Sequence, residues 1–78
     1  MAVWYAYEVV SENVSSLGAY LDETEGVNAF RAECRDTQFL EETHFGTVEA
    51  TTLEEALNAV RTWEWTSKVE DTFPLYGY

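Results

Sequence analysis

From Val3 to Val10 the chain reads Val-Trp-Tyr-Ala-Tyr-Glu-Val-Val, a run of β-branched and aromatic residues broken by a single charge. That composition favours an extended strand. Strand alternation sets Val3, Tyr5, Tyr7 and Val9 on one face and Trp4, Ala6, Glu8 and Val10 on the other. Both faces are largely apolar, so this strand belongs in the middle of a sheet rather than at its edge. With 78 residues, the chain has room for one domain around it and no second core.

The clearest helical signal covers about residues 52–64. Thr52-Leu53-Glu54-Glu55 has the form of a capping box, in which the Thr hydroxyl accepts from the amide of Glu55 and Glu55 reaches back. Leu53, Ala56, Leu57, Val60 and Trp63 then recur at helical spacing and lay one apolar stripe against a core. Glu54 and Glu55 occupy the first turn, where the helix dipole favours negative charge.

Two further strands are expected. One runs from Val27 to Cys34 after a turn at Glu25-Gly26, with Phe30, Ala32 and Cys34 inward and Arg31, Glu33 and Arg35 outward. The other runs from about Thr43 to Ala50, directly before the capped helix. Val14, Leu17 and Leu21 have helical spacing, but Gly18 weakens a helix by about 1 kcal/mol relative to Ala, so residues 12–22 stay open between helix and strand. Gln38 to Glu42 reads as a helical turn or a broad hairpin connection. The order predicts an α+β fold: a small antiparallel sheet of three to four strands with one amphipathic helix on one face. Residues 1–78 form the single domain, with 72–78 as an apolar tail.

Fifteen acids face four Lys or Arg, a formal net charge of −11, while hydrophobic residues make up 46 % of the chain and aromatics 15 %. That apolar content offsets the ordering entropy of a folded domain and sets the chain apart from a disordered acidic tail. The charge argues against direct binding to phosphates or to an anionic membrane surface. The first residues lack the basic region of a signal peptide, Glu8 interrupts the apolar run, and no stretch of 18 apolar residues occurs. A single cysteine, Cys34, has no internal disulfide partner, which fits a reducing intracellular compartment.

Candidate chemistry is sparse. Cys34 and His44 are the one thiol and the one imidazole, and a nucleophilic pair on adjacent strands would need both. A small core cysteine beside a surface histidine accounts for them more simply. Structural zinc sites want four Cys or His ligands, and two are present. If Gly26 is set at the sixth position of a calcium loop, Leu21 and Ala32 fall where carboxylates are required. Neighbouring acids such as Glu41-Glu42 need a cleft to separate their pKa values, which so short a chain rarely encloses. The expectation is a non-enzyme with no cofactor and no metal.

Trp4, Tyr5 and Tyr7 could form a base-stacking platform, but the first 26 residues carry five acids and no base. Core packing is the better reading, with an interface anchor as the alternative. The tail Thr72-Phe73-Pro74-Leu75-Tyr76-Gly77-Tyr78 is apolar for a terminus. It either folds back over the sheet or docks a partner or a twin subunit as a homodimer contact.

The negative charge is spread along the chain, −5 over residues 1–26 and −3 over each of 27–50 and 51–78. Three explanations compete. In the first, the surface imitates the phosphate array of a nucleic acid, since alternate strand residues stand about 6.7 Å apart. In the second the acidity is adaptation to a salty cytoplasm, and in the third it serves solubility on a module that binds through aromatic patches. Twelve Glu against three Asp counts weakly against salt adaptation. A short acidic domain without catalytic or targeting motifs resembles, in profile and not in motif, the small phage-encoded anti-defence inhibitors such as anti-CRISPR and anti-restriction proteins. The resemblance implies a partner that is a basic nucleic-acid-binding protein, whose binding surface the acids occupy. The expected contact residues are Asp22, Glu23 and Glu25 in the turn before the second strand, then Asp36, Glu41 and Glu42 in the connection before the third. The alternative is an interaction or assembly module using the aromatic strand and the tail.

Overall fold

The computed structural model describes residues 1–62. The elements follow in the order β1 (Ala2–Ser11), β2 (Val14–Tyr20), α1 (Glu23–Asp36), β3 (Leu40–Ala50) and α2 (Leu53–Arg61). β1 lies between β2 and β3 and runs antiparallel to both. The fold is α+β, and the strand with two apolar faces is indeed the central one.

β1 and β2 form a tight hairpin. Glu12 and Asn13 take φ values of 53° and 67°, the left-handed pair that a two-residue turn requires if its twist is to match the strands. Residues 14–20, open between helix and strand in the sequence, are therefore a strand. Gly18 sits there because the Tyr7 ring lies across it: a Cβ at Gly18 would come within 2.5 Å of that ring. The glycine that counted against a helix makes room for a core tyrosine.

The expected strand Val27–Cys34 is instead the middle of α1. Residues 30 and 34 are two steps apart in a period-2 pattern and also one helical repeat apart, so the pair fits both readings. Gly26, Phe30 and Cys34 are the buried residues of this helix, and their four-residue spacing is helical. Ala32, expected inward, is half-buried, as are Arg31 and Glu33. The Glu25-Gly26 turn signal was misleading: Asp22 is the N-cap, and its carboxylate accepts from the Glu25 amide at 3.0 Å. Gly26 brings α1 close to β1, where an added Cβ would stand 3.0 Å from Cβ of Tyr5 and 3.2 Å from its carbonyl oxygen.

Among the described residues two helices thus cover the sheet, one on each face, where one was expected. α1 packs on Tyr7, Val9 and Phe45, with Tyr5 and Tyr20 alongside. The rings of Tyr7, Phe30 and Phe45 tilt against one another at centroid separations of 5.8 and 5.3 Å. α2 packs on Ala6, Ala19, Val48 and Ala50 through Ala56 and Val60. Trp4 lies on this second face and its indole N–H donates to the Ala50 carbonyl at 2.9 Å, tying β1 to β3. The α2 start is as expected, with the Thr52 hydroxyl accepting from the Glu55 amide at 3.2 Å. Its capping partner differs by one residue, because Glu55 accepts from the Thr51 amide at 2.9 Å. Trp63 of the predicted stripe and the tail 72–78 lie outside the described residues.

The connection from α1 bends through Phe39, which takes a left-handed φ of 56° and leaves its ring exposed. The Ser11 hydroxyl holds this bend by donating to the carbonyls of Gln38 and Phe39. Strand β3 then starts at Leu40, three residues earlier than the sequence indicated.

Candidate functional site

Chain direction decides where the acids go. β1 runs from its start at Ala2 to the hairpin beside Ser11; β2 returns and α1 follows it, so α1 begins at the Ala2 end of the sheet. β3 also finishes at that end, pairing Ala50 with Ala2, and α2 begins just beyond it. Both helix N-termini therefore stand at one end of the sheet, on opposite faces. Each carries acids in its first turn, Glu23 and Glu25 on α1 and Glu54 and Glu55 on α2. Asp22 and Glu49 complete a set at this end. Among the described residues no Lys or Arg lies there: Arg31 and Arg35 are further along α1, and Arg61 closes α2 at the other end. The partial positive charge of two helix starts offsets part of the repulsion within this group.

The expected contact residues divide between the two ends. Asp22, Glu23 and Glu25 lie at the helix-start end, in a cap and first turn rather than a loop. Asp36, the last residue of α1, and Glu41 and Glu42, at the start of β3, lie at the hairpin end. Asp22 and Asp36 stand at opposite ends of α1, about 21 Å apart at ~1.5 Å per residue, and Glu49 lies about 23 Å along β3 from Glu42, so on the order of 20 Å separates the two groups. The second group is also partly engaged. Asp36 stands 3.9 Å from the Arg35 guanidinium in an exposed pair. Glu41 accepts from the Asn13 amide at 3.4 Å, and Glu42 lies 2.6 Å from Nε2 of His44. Glu49, Glu54 and Glu55 join the first group and were not among the expected residues. Two matching cap patterns, Asp22-x-x-Glu25 and Thr52-x-x-Glu55, were the signal that both helices begin with acids.

Glu8 presents a different feature. It sits at the centre of the sheet on the α2 face, 7 % exposed, between Leu17 of β2 and His44 of β3. Its Oε1 is buried without a hydrogen-bond partner. It lines an open cleft of about 470 Å³ together with Ser15, Leu17, Leu57 and Arg61. Arg61 donates to Oδ1 of Asn58 at 2.7 Å. The cleft thus combines a carboxylate oxygen with an unfilled acceptor position and two leucine walls, a setting suited to a donor on an aliphatic stem.

The Cys34 and His44 pair does not form. Cys34 is on α1, not on a strand, and is 3 % exposed on the α1 face of the sheet. His44 pairs in register with Glu8, whose side chain belongs to the opposite face, so the sheet separates thiol and imidazole. Burial, and then the neighbouring Glu33, push the Cys34 thiol up to about 11. Tyr7 is 5 % exposed and Trp4 and Tyr5 are half-buried, so the aromatic strand is mainly core. Among the described residues no cluster of metal-ligating side chains occurs, and no helix is long and apolar enough to cross a membrane.

No protein-family model matches this chain, and no curated protein or solved structure matches it.

Proposed function

We propose that this protein binds through its helix-start end to a basic, nucleic-acid-binding surface of a partner protein and so blocks that surface. The observation that carries the reading is the gathering of Asp22, Glu23, Glu25, Glu49, Glu54 and Glu55 at one end, where no Lys or Arg lies among the described residues. Carboxylates held on a rigid scaffold attract a Lys/Arg-lined groove and speed encounter at low ionic strength. Interference with a nucleic-acid-binding defence complex, of the anti-CRISPR or anti-restriction kind, is the biological role that suits such a surface.

The test is capture of partners from nuclease-treated host lysate at low salt, followed by elution with duplex DNA. A captured nucleic-acid-binding protein that DNA displaces is the expected result. The variant Glu23→Lys/Glu49→Lys/Glu54→Lys should then slow association at least tenfold and flatten its salt dependence. It leaves the Asp22 and Glu55 caps in place, and a circular dichroism spectrum matching that of the parent chain checks that the fold is retained. Unchanged association by the triple variant would remove this end as the site.

A further inference from the structure

We propose that the free edge of β2 pairs with the β2 edge of a second copy of this chain, joining two three-stranded sheets into one six-stranded sheet about a two-fold axis. In the sheet order β2-β1-β3 both outer strands present an unpaired edge among the described residues. The two edges differ in protection. β3 carries Glu41, Glu42, His44 and Glu49 along its length, the kind of charge that keeps an edge from pairing. β2 reads Val-Ser-Ser-Leu-Gly-Ala-Tyr, without a charge, a proline or a register shift against β1. It lies within Asn13–Leu21, nine residues that form the longest uncharged run in the chain. Two bodies of charge −11 repel one another over most of their surfaces, and this strand is where they can approach most closely. A basic partner, by contrast, would find no counter-charge on it. A second copy is the occupant that suits it.

The register follows from the hairpin. In a two-residue hairpin the residues flanking the turn, here Ser11 and Val14, form a hydrogen-bonded pair, and such pairs alternate along the ladder. Val14, Ser16, Gly18 and Tyr20 therefore turn their amides and carbonyls to β1. Ser15, Leu17 and Ala19 turn theirs outward. When two such edges meet antiparallel with Leu17 opposite Leu17, Ser15 of each copy faces Ala19 of the other, and every outward group of these three residues finds a partner. The pairing is self-complementary, as a two-fold contact must be. It leaves the helix-start ends open, so it stands or falls independently of the partner reading above.

Sedimentation equilibrium on the full chain from micromolar to millimolar concentration should show a mass rising from 8.9 kDa towards twice that value. Added salt should strengthen the association by screening repulsion, the reverse of its effect on binding a basic partner. Leu17→Glu and Leu17→Lys each place like charges directly opposite one another across the axis. Each variant alone should sediment as a monomer with an unchanged circular dichroism spectrum, and an equimolar mixture should dimerise again. On the unaltered protein, amide exchange of Ser15, Leu17 and Ala19 should slow as concentration rises. The proposal is overturned by a monomer at every concentration, by a dimer that survives both variants, or by a dimer lost only on removal of residues 63–78. If both variants unfold, amide exchange decides: rates at these three residues that do not change with concentration overturn it.

Discussion

Cys34 and Tyr7 lie between α1 and the sheet, and burial governs the chemistry of both side chains. Burial, with smaller contributions from Tyr20 and Glu33, raises Tyr7 from 10.0 to about 12, and burial followed by Glu33 raises Cys34 from 9.0 to about 11. Both folded values exceed the unfolded ones, so each group holds its proton longer in the folded chain. The corresponding stability is complete below about pH 9 and is lost as pH rises through about 11 and then about 12. Each group contributes about 2–3 kcal/mol when fully ionised in the unfolded state. Urea unfolding followed from pH 8 upwards should therefore weaken steeply above pH 9, and Cys34→Ser should remove the earlier part of that loss. The same burial keeps the thiol protonated near neutrality, so native alkylation of Cys34 should run roughly a hundredfold slower than in denaturant. An inert core cysteine was legible in the sequence from its apolar neighbours. The role of Gly18 was not, because only the tertiary contact brings the Tyr7 ring over it.

Both helices start on a side-chain cap followed by acids in the first turn, and this shared device links element formation to surface charge. Asp22 accepts from the Glu25 amide at 3.0 Å, as Thr52 accepts from the Glu55 amide at 3.2 Å. Asp22→Ala should cost about 1 kcal/mol and lower the melting temperature by several degrees, with Asp22→Asn recovering most of the loss. If Asp22 served only as a contact residue, the alanine variant would melt like the parent chain. The α2 cap was legible because Thr52 directly precedes an unbroken apolar stripe. The α1 cap had the matching form Asp22-x-x-Glu25, yet Gly26 behind it resembled a turn, and Phe30 and Cys34 satisfied strand and helix periods alike. Choosing between those periods depended on what the segment packs against. Gly26 lies on Tyr5 of the central strand, and the helix leaves Asn28 exposed while packing Val27 and Ala29 against the core, where a strand would have turned Asn28 inward with Gly26, Phe30 and Cys34.

At the scale of the whole molecule, Asp22, Glu23, Glu25, Glu49, Glu54 and Glu55 share one end because two helices begin there, while Glu12, Asp36, Glu41 and Glu42 lie at the other. The resulting repulsion should respond to screening. The melting temperature should rise between low salt and about 0.2 M, where the Debye length has fallen below about 8 Å, and then level off. A continued steep climb into molar salt would mark the acidity as salt adaptation instead of a binding surface. The Leu17 variants bear on a separate property at this scale, since edge pairing depends on the uncharged β2 and not on the acidic end.

Composition and short-range pattern alone determined that this chain folds, that Val3–Val10 is central, that Thr52 opens a helix and that the surface is negative. These follow from burial, alternation and capping, which act between near neighbours in sequence. Tertiary structure decided that residues 23–36 are helical, that the sheet is covered on both faces, and that Glu49 joins Glu23 and Glu54 while Glu41 and Glu42 do not. Those outcomes depend on strand direction and on which face each helix takes, and both are set by contacts between residues far apart along the chain.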